Sequence, residues 1–115
     1  MKGVQSWFAA VLGAVLLFIG ILGFINDPVL GLLSVNNVQN LIHLLSGVAG
    51  IIIGVWVGTA ASRWFNSIFG IIYGFVALFG FFGIGVSLLD LNLADNLLHL
   101  LIALAAIGVG FSGKD

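Results

Sequence analysis

The sequence predicts an all-α membrane fold: one bundle of four transmembrane helices, built from two tandem helical hairpins, with both termini in the cytoplasm. Hydrophobic residues make up 62% of the 115 residues and charged residues 6%, whereas charged residues form about 25% of a typical soluble domain. Four apolar stretches approach the length of about 20 residues that a membrane-crossing helix needs. A shift of 56 residues also matches the second half of the chain to the first, which predicts the two hairpins.

The four predicted spans follow one another with short polar breaks between them. Because backbone groups in lipid must be hydrogen-bonded within the segment, these stretches are predicted to be helices rather than open strands. Asn26, Asp27 and Pro28 end the first span, a polar turn over residues 59–63 separates the second from the third, and residues 89–92 open the fourth. Connections this short make neighbouring helices antiparallel. The spans cover about residues 7–25, 38–60, 64–88 and 93–111.

The first stretch, which follows Lys2, is predicted to be a retained helix rather than a cleaved signal peptide. It is longer than the usual apolar core of a signal peptide, and no small-residue cleavage pattern follows it. A cleaved signal would leave three helices, so this prediction decides the fold.

The few charged residues divide between the two predicted membrane faces. Trp7 and Trp64 fall on the basic face, as interfacial aromatic residues do. Because positively charged loops tend to stay in the cytoplasm, both termini and the middle turn are predicted to be cytoplasmic. The residues of the two faces are Lys2, Arg63 and Lys114 against Asp27, Asp90 and Asp95.

The internal repeat is clearest where the second and fourth spans begin. The shift of 56 residues places Asn36 on Asn92, Asn40 on Asn96 and His43 on His99. Repeat one covers about residues 4–60 and repeat two about residues 61–112. Since each copy holds two spans, the two copies are predicted to have the same orientation in the membrane. Small residues follow at matching positions: Gly47, Gly50 and Gly54 in the first copy, Ala103, Ala106 and Gly110 in the second.

These residues are spaced by three and four, which places them on one face of each helix. Small residues let membrane helices approach closely, and polar residues within a span normally face the bundle interior. We therefore expect the second and fourth helices to meet at the bundle centre along these faces. The two histidines would then lie at equal depth, about 10 Å below the extracytoplasmic ends at 1.5 Å per residue.

The polar residues near the histidines are predicted to be structural. Asn36 with Gln39, and Asn92 with Asp95, have the spacing of a helix capping box. Asn40 and Asn96 lie within the spans, where polar residues are costly and require partners. The predicted structural cluster, which joins helices two and four, consists of Asn36, Asn40, Asn92, Asp95 and Asn96.

His43 and His99 allow three interpretations. In the first, both imidazoles join the asparagines in hydrogen bonds between helices, since neutral imidazole both donates and accepts. In the second, both histidines ligate one tetrapyrrole, either a haem or a chlorophyll-type pigment, and Gly47 leaves room for the ring. The acidic face offers no Arg or Lys to haem propionates, whereas a pigment needs only one axial histidine. The third is zinc held with Asp95, although Asp95 is spaced to orient His99 instead.

Composition and motifs also bear on the class of function. The absence of cysteine excludes thiol chemistry and cysteine-ligated metals, and the lack of a basic patch argues against nucleic acid. No nucleophile, base and orienting group come together, so an enzyme is not expected. The sequence favours a structural or accessory subunit of a larger membrane assembly. Its predicted partners are the lipid bilayer and either other membrane subunits or a second copy of itself.

Two segments resemble a known family, domain-of-unknown-function family 4383, which consists of small bacterial membrane proteins. The likeness covers nearly the whole chain, and it implies four helices in a bacterial cytoplasmic membrane without implying any activity. Where the family often has a further histidine, this chain has Gln39, so the resemblance implies no three-histidine site. The segments carry Val35, Asn36, Asn40, Leu41, Ile42, His43, Leu44, Gly47 and Gly50, then Asn92 to Leu100 with His99, besides Gly23, Phe24, Ile25 and Pro28.

Overall fold

The computed structural model describes residues 3–84 and 86–115, so Lys2, which the sequence places on the cytoplasmic face, lies outside the described residues. Within them the fold is helical, without β-strands. Four helices are long and apolar enough to cross a membrane, which confirms the predicted helical class and number of spans. The helices are α1 (Val4–Ile25), α2 (Asn37–Ile52, continued by a π-helical segment, Ile53–Val57), α3 (Thr59–Phe81), α4 (Val86–Leu89) and α5 (Leu93–Gly110).

The second and third spans are joined at a single residue, Gly58. The predicted polar turn over residues 59–63 is wrong, because Thr59 already begins α3. Gly58 has φ 125°, a value that glycine adopts readily and other residues do not. Its backbone N–H closes the π-helical segment on Ile53 O at 3.2 Å. Gly58 O then accepts from the Ser62 hydroxyl at 2.7 Å, so one glycine ends one helix and begins the next.

The third span is shorter than predicted, since α3 ends at Phe81 and not near residue 88. Gly83 has φ 74°, and its N–H donates to Gly80 O at 3.1 Å while Ile84 N–H donates to Phe79 O at 2.7 Å. This pair of bonds is the Schellman arrangement that ends helices at a left-handed glycine. Residues that were assigned to the last turns of the span instead form the separate short helix α4.

The small residues bring each helix against its partner within the same hairpin. A Cβ added at Gly47 would lie 2.5 Å from Leu17 N and 2.7 Å from Gly13 O, both backbone atoms of α1. In the second hairpin, a Cβ added at Gly110 would lie 2.7 Å from Ser67 N of α3. The remaining small residues face the same partners: Gly50 and Gly54 pack on α1, and Ala103 and Ala106 lie opposite Gly74 and Gly70 of α3.

The expectation that helices two and four meet along these small residues is therefore wrong. α1 packs along α2 and α3 packs along α5, whereas the backbones of α2 and α5 have little contact. The reason is that α1 and α3 carry their own small residues, Gly13 and Gly70, opposite those of α2 and α5. Two glycine-bearing faces approach more closely than a glycine face and a histidine face can.

The two hairpins meet mainly where α1 and α3 contact each other. The core between them is small and combines aliphatic and aromatic side chains, and Leu16 at 1% exposure is its most buried large residue. Large apolar side chains cover the outside of all four spanning helices, as a bilayer requires. The core consists of Leu12, Leu16, Phe69, Tyr73, Ile102 and Ala103.

Candidate functional site

His43 and His99 are brought together although their helices hardly touch. Both are buried, with exposures of 5% and 4%, and their ring centroids lie 6.3 Å apart with an angle of 60° between the rings. The ring of Tyr73, from α3, approaches His99 edge-on at a centroid distance of 5.1 Å. The long side chains thus bridge the gap that the backbones of α2 and α5 leave open.

A cavity of about 100 Å³ lies beside this group. Its polar lining consists of Gln39, His43, Tyr73 and His99, each of which buries an atom without a hydrogen-bond partner. Those atoms are Gln39 Oε1, the Nδ1 atoms of both histidines and the Tyr73 hydroxyl. Pockets for drug-sized ligands measure about 300–1,000 Å³, so a tetrapyrrole is far too large for this cavity. The rest of the lining is apolar: Ile42, Ile72, Val76 and Leu89.

Asn40 and Asn96 do not join the histidines as expected. Their buried Oδ1 atoms have no partner, and each amide packs against a glycine of its own hairpin. A Cβ added at Gly23 would overlap Asn40 Oδ1, and one at Gly80 would overlap Asn96 Oδ1. The predicted hydrogen-bonded cluster of asparagines and histidines is therefore not formed through these atoms, because the asparagines point to α1 and α3.

The two hairpins are instead tied together at this end by polar side chains that reach backbone carbonyls. Asn36 Nδ2 donates to Leu88 O at 2.6 Å, and Asn92 Nδ2 donates to Leu32 O at 2.9 Å. Gln39 Nε2 donates to Leu89 O at 2.6 Å. These three bonds cross from one hairpin to the other, so the predicted joining role falls to Asn36, Asn92 and Gln39.

The same two asparagines also cap their helices. Asn92 Oδ1 accepts from Asp95 N at 2.8 Å, and Asp95 Oδ2 accepts from Asn92 N at 2.9 Å, which completes the predicted capping box. Asn36 Oδ1 accepts from Gln39 N at 2.8 Å, but Gln39 reaches across to the other hairpin, so the first box is only half formed. Asp95 is thereby held by its cap. No group of three His, Cys, Asp or Glu side chains suited to a metal occurs in the described part of the chain.

A second polar cluster, at the opposite end of the bundle, escaped the sequence analysis. Gln5 and Asn66 are both fully buried, and Asn66 Nδ2 donates to Gln5 Oε1 at 2.9 Å. Gln5 Nε2 donates to Val109 O at 2.6 Å and to Lys114 O at 3.1 Å. The available signal was the presence of two uncharged polar residues just inside the basic ends of α1 and α3, where they require partners.

Arg63 completes this second cluster by holding the C-terminal residues. Its guanidinium donates to Ser112 O and, at 2.7 Å, to Lys114 O. An exposed ion pair with Asp115 measures 3.4 Å. Arg63 and Lys114 therefore lie at the same end of the bundle as Gln5, while Asp90 and Asp95 lie at the end that carries the caps.

Fold and site together define a multi-pass membrane protein whose buried polar residues tie two helical hairpins together. The family model described as Domain of unknown function (DUF4383) matches residues 6–112. The chain belongs to this family, as the resemblance of its two histidine-containing segments suggested. No curated protein and no solved structure matches it.

Proposed function

We propose that this protein is a non-enzymatic accessory subunit of a larger membrane assembly. The observation that carries the proposal is the use of its polar side chains. Asn36, Asn92, Gln39 and Gln5 each bond a backbone carbonyl of the other hairpin. Polar groups spent in this way make a rigid body rather than a reaction centre.

The outward surface supports a role in assembly. Between 28% and 39% of each spanning segment is buried within the bundle, so most of every helix faces outward. The connections between spans are short, and the one between α2 and α3 is a single residue, Gly58. Any partner must therefore be met within or at the surface of the membrane. The exposed large side chains include Phe18 on α1, Leu45 on α2, Phe75 on α3 and Leu104 on α5.

We further propose that the two hairpins are copies of one ancestral hairpin. Contacts in one half recur in the other at matched positions, as the shift of 56 residues requires. Gly13 packs against Gly50 and Ile51, and Gly70 packs against Ala106 and Ile107. Gly23 faces Asn40, and Gly80 faces Asn96. These pairs support a twofold axis along the membrane normal.

The proposed location is a bacterial cytoplasmic membrane, with both termini in the cytoplasm and the histidines toward the extracytoplasmic side. Arg63 and Lys114 lie at one end of the bundle, where Arg63 donates to the backbone of Lys114. Trp64, next to Arg63, is 69% exposed at the level where interfacial tryptophans anchor helices. Basic residues at the cytoplasmic face fit the positive-inside rule.

Site-specific photo-cross-linking in native membranes tests the subunit proposal. A photoreactive residue is placed in turn at Phe18, Leu45, Phe75 and Leu104, one site on each spanning helix. We expect one or two neighbouring sites to give a discrete cross-link to a single other membrane protein. A photoreactive residue at Leu16, which is buried, is the matched control and should cross-link only within the chain.

The outcomes separate the proposed partners. Cross-links to a different protein, which also co-purifies in a fixed ratio in mild detergent, support the accessory role. Cross-links only between copies of this chain indicate self-association instead. Uniform labelling by lipid alone from all four exposed sites, with no co-purifying protein, would contradict the proposal.

A further inference from the structure

The histidine cavity contains more unpartnered polar atoms than a purely structural site needs. Both imidazole Nδ1 atoms are buried without a hydrogen-bond partner, although the rings line the same cavity. A neutral imidazole carries one N–H and one lone pair, and a buried unpaired group is costly. Such groups in a native structure usually mark a water or an ion.

We propose that His43 and His99 hold one monovalent copper ion, Cu(I), between their rings. The ring centroids lie 6.3 Å apart. A metal–nitrogen bond of about 2 Å on each side, together with half a ring width on each side, accounts for this separation. The spacing therefore admits a single ion and nothing wider.

The size of the cavity agrees with a single small ligand. Its volume is about 100 Å³, and one water occupies about 30 Å³ of liquid. An ion with a water or two fits, whereas an organic cofactor does not. Tyr73 and Gln39 complete the polar lining and are available to a water beside the ion.

The charge of the lining selects the ion. Its donors are two imidazoles, a phenol and a carboxamide, and none of them is a carboxylate. The nearest acidic residue in sequence, Asp95, is engaged with the backbone N–H of Asn92. Burying a divalent charge among neutral groups is costly, and structural zinc takes four ligands. Cu(I) carries one charge, accepts two ligands in line, and is bound well by imidazole.

The test is a Cu(I) titration of the full-length protein in detergent, without oxygen, against the chromophoric chelator bicinchoninate. We expect the wild-type chain to withdraw one Cu(I) per chain. X-ray absorption should show a two-coordinate nitrogen shell.

Leu and Met provide a matched pair of substitutions at the first histidine, because they have similar volumes. His43→Leu removes the ligand, and loss of a ligand should weaken Cu(I) binding by at least the roughly 100-fold that even an outer-shell change can cost. His43→Met supplies a thioether, which is a good ligand for Cu(I), so binding should remain within about 10-fold with sulfur visible in the absorption spectrum. Tyr73→Phe should bind as the wild type does, because two imidazoles suffice.

Several results would overturn the assignment. Failure of the wild-type chain to hold Cu(I) against the chelator, or equal binding by a His43→Leu/His99→Leu double variant, removes the site and leaves the cavity to water. Tight Zn(II) binding with no Cu(I) binding, lost in Tyr73→Phe, would make the ion divalent and the phenol a ligand. Circular dichroism of each variant identifies misfolding, and His43→Met keeps the test valid if His43→Leu fails to fold.

Discussion

Ser34 Oγ donates a hydrogen bond to Asp90 Oδ2 at 2.9 Å, and these residues lie 56 positions apart. The shift that aligns the two halves therefore places Ser34 on Asp90. Residues matched by a twofold axis touch each other only near that axis, so this pair marks where the proposed axis leaves the bundle. On either side of it, the bonds from Asn36 to Leu88 and from Asn92 to Leu32 are related by the same shift.

The first prediction separates the two roles of Asn92, which caps α5 and bridges to the other hairpin. Asn92→Ala removes both and should cost about 1 kcal/mol for the cap and about 0.6 kcal/mol for the bridge. Asn92→Ser keeps a capping oxygen but is too short to reach Leu32 O. The free energy of unfolding in mixed micelles should therefore fall in the order wild type, Asn92→Ser, Asn92→Ala. Equal losses for both variants would mean that the bridge and not the cap stabilises this end.

Much of the fold could be predicted from sequence because the bilayer restricts it so strongly. Composition and span length were sufficient for four helices, and the three-residue spacing of Asn92 and Asp95 identified a cap that the structure contains. The end of α3 was misplaced because Gly83 interrupts an apolar run that hydropathy alone reads as continuous. Gly58 was missed for a similar reason, since a one-residue reversal leaves no polar stretch to mark it.

The site was harder to predict than the spans. The equal depth of His43 and His99 follows from the repeat, and their rings do meet. The partners of the small residues could not be foreseen, because a glycine face states that something approaches closely and not which helix it is. Tyr73 was seen only as one member of an aromatic-rich helix. Its place beside His99 depends on how α3 is rotated, which the sequence pattern leaves undetermined.

The second prediction concerns the close approach of α1 and α2. Gly47→Ala places a Cβ 2.5 Å from Leu17 N and 2.7 Å from Gly13 O, and backbone atoms cannot move aside cheaply. The substitution should cost about 1–3 kcal/mol, the usual range for overpacking. Gly108→Ala is the matched control, because its Cβ would meet nothing within 4 Å, and it should gain up to about 1 kcal/mol from helix propensity. Similar unfolding free energies for the two variants would contradict the packing of the first hairpin.

The third prediction distinguishes the backbone bonds of Arg63 from its ion pair. Arg63→Gln removes donors to Ser112 O and Lys114 O, and bonds from a charged donor are worth about 1.5–3 kcal/mol each at most. Asp115→Asn removes only an ion pair whose carboxylate is 88% exposed, and such a surface pair contributes at most about 1 kcal/mol. Thermal unfolding should show a clear loss for Arg63→Gln and little change for Asp115→Asn. The reverse order would place the ion pair above the backbone bonds.

The fourth prediction fixes the orientation of the bundle in the membrane. The chain has no cysteine, so a single introduced thiol reports one position without background. Leu32→Cys lies in the loop between α1 and α2, at the end that carries the caps, and Leu32 is 66% exposed. Gly113→Cys lies at the end held by Arg63, where an added side chain meets nothing within 4 Å.

A membrane-impermeant maleimide applied to intact cells should label Leu32→Cys and leave Gly113→Cys unlabelled until the cells are opened. This expectation rests on Arg63 and Lys114, because basic residues are retained on the cytoplasmic side. Labelling of Gly113→Cys alone in intact cells would invert the bundle and place the histidine cavity near the cytoplasm. Labelling of both positions in intact cells would require an odd number of spans between them, and it would therefore contradict the four-span fold and not the orientation alone.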